Sequence, residues 1–116
     1  MIERLFVYGT LAPGRSNAHV LASVVGEWQL ASVRGHLLPE GWGAALGYPG
    51  IILDETGPDV RGFVFSAETL GEHWERLDEF EGDGYDRVVV LASLESGGSV
   101  EAYVYALRGL AEVPAQ

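Results

Sequence analysis

The sequence predicts an α+β domain in which five or six strands curl into a sheet or small barrel with two helices against it. Three observations carry this. Short runs rich in β-branched and aromatic residues dominate the chain, only two stretches read as helix, and the strands are not separated by regular crossover helices. The 116 residues, 47% of them hydrophobic, suit a single domain spanning 1–116, and a chain of this size buries roughly two thirds of its unfolded surface.

The first strand is "RLFVYGTL", Arg4 to Leu11, broken by "APG". "SNAHVLASVVG" follows as a short helix, which Ser16 or Asn17 can cap and Gly26 can end. Glu27 to Leu38 is a second extended segment, and "PEGWGAALGYPG" has the glycine and proline content of an irregular loop. "IILDE" and "VRGFVFS" read as paired strands around the turn "TGPD". A helix is expected from about Ala67 to Glu81, and "YDRVVVLASLESGGSVEAYVYAL" reads as a long hairpin turning at Gly97 and Gly98. No repeat or linker interrupts the chain.

Composition narrows the chemistry. A formal charge of −10, from seven arginines and no lysine against seventeen acids, disfavours nucleic acid and anionic membranes as partners and leaves a small ligand as the expectation. The absence of cysteine excludes disulfides and thiolate sites, and the absence of lysine excludes Schiff-base chemistry. His19, His36 and His73 have no metal-ligand spacing, and no Gly-x-Ser-x-Gly elbow is present. Neither a metal nor a cofactor is expected. No apolar run approaches the ~20 residues needed to cross a bilayer. The segment "MIERLFVYGTL" reads as a strand rather than a signal, so a cytoplasmic location is expected.

Glu75 to Arg87, "ERLDEFEGDGYDR", holds six carboxylates in thirteen residues. Helical phase separates them. At about 100° per residue, Leu70, Trp74 and Leu77 fall within ~60° of one another, and this inward stripe should pack on the sheet. Glu72, Glu75 and Glu79 project to the opposite, solvated side. Asp78 flanks the stripe, and three residues' separation from Glu81 on one short helix does not suit a glycosidase pair. Glu81 falls inside the stripe, just before "GDG". A buried carboxylate is costly unless partnered, and desolvation raises its pKa toward the range a proton shuttle needs. The other reading is that the helix stops a turn early and Glu81 only accepts hydrogen bonds in the turn.

In "VYGTLAPGRSN", Gly9 directly after a strand allows close backbone approach, and the helix beyond it offers free N–H groups to an anion. A plain turn explains the same residues.

Taken together, "YGTL" at Tyr8 to Leu11 with "PGRSNAH" behind it, "YPG" at Tyr48 to Gly50, and "LDEFEG" followed by "YDR" at Leu77 to Arg87 resemble the gamma-glutamylcyclotransferase-like family over nearly the full length. The resemblance implies a small mixed β-barrel of five to seven strands with two flanking helices. It implies Glu81, the Glu before Gly in "LDxxEG", as the acid-base residue. It also implies that the Tyr8, Gly9, Thr10, Leu11 loop binds a gamma-glutamyl group largely through backbone. Two positions depart from the family pattern: Phe63 stands where many relatives carry an acid, and Ala18 separates Asn17 from His19.

The implied reaction fits the residues available. The substrate's own α-amine attacks its γ-carbonyl, closes 5-oxoproline and expels an amine, so no enzyme nucleophile is needed. Tyr85, with Tyr103 or Tyr105 at period two, can line the pocket or serve as core aromatics. The expected site lies between the Tyr8 to Leu11 turn and the carboxy-terminal end of the acidic helix. The rival is a non-catalytic module that binds an amino-acid-like ligand. The leaving amine and the oligomeric state are not encoded in any residue pattern here.

Overall fold

The computed structural model describes residues 3–8, 19–22, 24–38, 50–81 and 85–107. The strands are β1 (Arg4–Val7), β2 (Glu27–Leu38), β3 (Gly50–Leu53), β4 (Asp59–Ser66), β5 (Tyr85–Leu94) and β6 (Ser99–Leu107). The helices are α1 (His19–Ala22) and α2 (Trp74–Glu81), the latter entered through a 3-10 turn over Leu70–His73.

Hydrogen-bonded neighbours run β1–β4–β2–β3–β6–β5, and the further pairings β1–β6 and β2–β5 close the sheet on itself. The pairings of β6 with β1 and with β3 are parallel, and the others are antiparallel. The predicted α+β class and small mixed barrel are therefore found, as a closed five-stranded barrel with a sixth strand.

Period-two alternation sorts the strand residues into two cores. Phe6, Val64, Val104, Ile51 and four alanines, Ala31, Ala92, Ala102 and Ala106, share one buried cluster, the barrel interior. Four alanines there suit a barrel of few strands, whose interior has room for little more than small side chains. Leu5, Val7, Phe65 and Tyr105 point the other way and join Leu21, Val24, Leu70 and Leu77 in the layer beneath the helices. Leu70 and Leu77 are fully buried and Trp74 packs against the same cluster, so the predicted inward stripe is present.

Three local expectations are corrected. Helix α1 ends at Ala22 rather than at Gly26. Gly26 is required for another reason: a Cβ there would meet the Ser66 carbonyl oxygen at 2.5 Å, so glycine lets β2 begin against β4. The predicted capping residues Ser16 and Asn17 lie outside the described residues. Second, β3 and β4 pair with β2 rather than with each other. Gly35 faces Leu53 and the adjacent Arg34 faces Asp59, so the two strands lie end to end along β2 with Asp54 to Pro58 looped out between them. The loop is tied down locally. Asp54 accepts from the Thr56 amide at 3.0 Å and hydroxyl at 2.8 Å, and pairs with His36 Nε2 at 2.9 Å. These contacts, the His36 bond foremost, lower the Asp54 pKa to about 2. Third, the first turn of the predicted 67–81 helix is 3-10 rather than α, with Glu72 N–H donating to the Thr69 carbonyl at 3.0 Å. The β5–β6 hairpin turns where expected. Gly97 and Gly98 take φ of 117° and 78°, values that favour glycine.

Candidate functional site

Helix α2 sets up one side of the site. Its buried stripe fixes its rotation, which leaves Glu72, Glu75 and Glu79 in solvent as the phase predicted. The helix continues through Glu81, its last residue, so it does not stop a turn early. The backbone of Glu81 thus closes α2, while its side chain lies outside the described residues.

Asp78, one turn before that end, is held from two strands. Arg87, on β5, donates from Nε to one carboxylate oxygen at 2.9 Å and from Nη2 to the other at 3.3 Å. The Tyr105 hydroxyl, from β6, donates to the same carboxylate at 2.7 Å. The Arg87 guanidinium also lies over the Trp74 ring at 4.5 Å and the Tyr103 ring at 4.9 Å. Those two rings meet edge to face with centroids 5.0 Å apart. The hydrogen bonds from Arg87 are the main reason the Asp78 carboxyl sits below its ordinary value of 3.8. Partial burial opposes them, and the Tyr105 hydroxyl adds to them. The Arg87 guanidinium is correspondingly raised, mainly by its hydrogen bonds to Asp78.

Tyr105 reaches the other side of the site as well. Its backbone carbonyl accepts from the Tyr8 hydroxyl at 2.5 Å. Tyr8 directly follows β1, and its ring stacks on Phe6 with centroids 6.3 Å apart. Tyr8 and Asp78 of α2, about seventy positions apart, are therefore linked through Tyr105. Tyr85, at the start of β5, is 5% exposed and belongs to the core layer beneath the helices. Of the two alternatives, Tyr103 is half-buried against Trp74 and Arg87, and Tyr105 is buried with its hydroxyl on Asp78. Gly9, Thr10 and Leu11 lie outside the described residues.

The partnership of Asp78 and Arg87 is absent from the sequence reading, which placed Asp78 only at the edge of the stripe. A signal existed. The Asp of "LDEFEG" and the Arg of "YDR" are nine residues apart, one on α2 and the other on β5. His73 is half-buried, with its Nδ1 3.2 Å from Arg76 Nη2. Among the described residues no three His, Asp or Glu side chains converge as a metal-binding group. No helix among them is long and apolar enough to cross a membrane.

A broad open cleft of about 1050 Å³ lies elsewhere, at the opposite end of β1 from Tyr8, with Arg4, Glu27, Ser66 and Glu68 on its walls. It shares no residue with the Tyr8, Tyr105 and Asp78 cluster. Size alone does not mark it as a site.

The model for the family described as "Gamma-glutamyl cyclotransferase, AIG2-like" matches residues 5–115. The chain is 32% identical over 109 residues to gamma-L-glutamyl-butirosin B gamma-glutamyl cyclotransferase of Niallia circulans, covering 90% of this chain and 66% of that protein. It is similar in structure to YkqA of Bacillus subtilis, with a TM-score of 0.71 and 28% identity, over 93% of this chain but 36% of that one. It also resembles an AIG2-like protein of Mus musculus, with a TM-score of 0.72 and 24% identity, over 92% of this chain and 78% of that one. The last likeness speaks to fold alone.

Proposed function

The chain belongs to the gamma-glutamyl cyclotransferase, AIG2-like family, and from that premise we propose that it cyclises the gamma-glutamyl group of a small gamma-glutamyl amide to 5-oxoproline and releases the amine. The observation that carries the reading, beside family membership, is the convergence of Tyr8 and α2 on Tyr105. A hydrogen-bonded path through Tyr105 thereby links the strand end preceding Gly9 to the helix ending in Glu81. The protein acts in the cytoplasm on a small molecule, without nucleic acid or membrane, and needs no cofactor.

In the proposed mechanism Glu81 takes a proton from the substrate's α-ammonium. The freed amine attacks the γ-carbonyl carbon and forms the new C–N bond of the five-membered lactam, the attacking nitrogen gives up its second proton as the tetrahedral centre collapses, and the bond to the leaving nitrogen breaks as Glu81 passes both protons to it, so that the amine departs as an ammonium ion. Atoms and charge balance without a further reactant. Most of the acceleration comes from holding the amine and carbonyl in a near-attack geometry, a contribution of roughly 7–11 kcal/mol in the best intramolecular cases. Backbone N–H groups of Gly9, Thr10 and Leu11 hold the substrate carboxylate or the developing oxyanion, and Tyr8 and Tyr85 contribute to the binding surface.

A panel of gamma-glutamyl amides tests this, with released 5-oxoproline as the readout. The panel includes gamma-glutamyl amino acids, gamma-glutamyl alkylamines and gamma-L-glutamyl-butirosin B, the last because the Niallia circulans relative is named for that substrate. Release from at least one class, lost in Glu81→Gln, supports the reading. Binding of several amides without release from any would overturn it in favour of a ligand-binding module.

A further inference from the structure

We propose that Arg87, Asp78 and Tyr105 are positioning residues for this reaction, a clamp that fixes the last turn of α2, and with it the backbone of Glu81, against the strand end that carries Tyr8. The inference rests on the proposed cyclotransferase activity, and the clamp itself rests on geometry.

Arg87 grips α2 at two points one turn apart. Trp74 and Asp78 are related as i and i+4, so they sit one above the other on the same helix face. Arg87 stacks on the first and forks onto the second. A planar guanidinium suits both contacts at once, because its face meets an aromatic ring while its edge presents paired donors to a carboxylate. The third contact, the Tyr103 ring, comes from β6, the strand paired with β5. The helix is thus pinned to two neighbouring strands through one cation.

Tyr105 completes the link. Its hydroxyl holds Asp78 and its carbonyl holds the Tyr8 hydroxyl. The path from Tyr8 to Asp78 therefore crosses a single residue, and Glu81 lies three residues beyond Asp78 in the same helix. Stability alone does not account for the arrangement. The Asp78 side chain is 46% exposed and that of Arg87 24%, so solvent screens part of what the pair contributes to folding. Its value here is geometric. An acid-base group displaced by a fraction of its hydrogen-bonding distance loses its proton-transfer geometry while the substrate still binds.

Three variants of the full chain test the clamp: Tyr105→Phe, Arg87→Met and Arg87→Lys. Each is assayed for kcat and KM on an amide the wild type accepts, for thermal midpoint, and for hydrogen exchange of the 78–81 amides. Tyr105→Phe should lower kcat about tenfold with KM nearly unchanged, and Arg87→Met should lower it by up to ~100-fold, the scale of a small misplacement of a catalytic group. Arg87→Lys, which keeps the charge and loses the fork, should restore part of the Arg87→Met loss. Exchange protection at 78–81 should fall in Arg87→Met while the β5–β6 hairpin stays protected, since local opening is read residue by residue. A Tyr105→Phe protein with wild-type kcat, or an Arg87→Met protein with unchanged protection at 78–81, overturns the clamp and leaves the proposed activity standing. A wild type that releases no 5-oxoproline overturns the proposed activity and the positioning role with it.

Discussion

The Tyr8 hydroxyl donates to the backbone carbonyl of Tyr105 across ninety-seven residues of sequence. This bond ties the end of β1 to β6 beyond the point where Leu5 of β1 pairs with Tyr103 of β6. Tyr8→Phe removes the donor and leaves a partly buried carbonyl to find another. It should lower the unfolding free energy by about 1 kcal/mol, the net worth of such a bond, and lower kcat/KM as well. Urea denaturation together with steady-state kinetics checks both. A wild-type midpoint would mean the bond does not hold the strand end.

The proposed proton-transfer role, rather than charge, separates Glu81 from its neighbouring acids. Glu81→Gln keeps shape and hydrogen-bonding capacity but cannot carry a proton, a role worth roughly 10²–10⁴ in rate. Glu75→Gln and Glu79→Gln, both exposed, should leave turnover within about twofold, as surface changes usually do. Rates of 5-oxoproline release across the three variants decide the matter, and equal losses in all three would remove Glu81 from the mechanism.

Asp78 makes part of the stability depend on pH. Its folded pKa lies below the ordinary value of 3.8, so the stabilisation from its hydrogen bonds is complete above 3.8 and is lost as the pH falls through the folded value. Asp54, lowered to about 2, behaves in the same sense, although it is open to solvent and screened. Asp78→Asn should therefore be less stable than wild type near neutral pH, with the two urea midpoints converging as the solution is taken from about pH 5 downward. Parallel curves would show that the Asp78 carboxylate gains nothing from Arg87 and Tyr105 on folding.

The inward face of α2 can be tested against its outward one. Leu77 is fully buried and Phe80, three residues on, is 38% exposed. Leu77→Ala should cost about 2–5 kcal/mol through lost burial and a residual cavity. Phe80→Ala should cost well under half of that, because much of its ring is already in water. Denaturant midpoints at one pH measure the ratio, and equal costs would mean that the helix is rotated from the phase described.

Much of this was legible in the sequence because it depends on short-range pattern. The β-branched and aromatic content of Leu5, Phe6, Val7 and Tyr8 marked β1, the spacing of Leu70, Trp74 and Leu77 marked the buried face of α2, and paired glycines marked the β5–β6 turn. The failures share a different cause. "IILDE" and "VRGFVFS" look like hairpin partners because a turn sequence separates them, and local pattern cannot say which edge a strand will meet. The partner is β2, whose twelve residues are long enough to receive both strands end to end. Gly26 looked like a helix stop, and its actual constraint is the Ser66 carbonyl of a strand forty residues away.

The sequence by itself determined the α+β class and the burial phase of the acidic helix, because both follow from the periodicity of the backbone and the cost of leaving apolar side chains in water. Only the tertiary structure decided that Asp78 is gripped by Arg87 and that Tyr105 connects it to Tyr8. Those contacts join different elements, and their existence depends on how the barrel closes. Closure is a collective property of the strands, set by register and packing rather than by any residue's own preference.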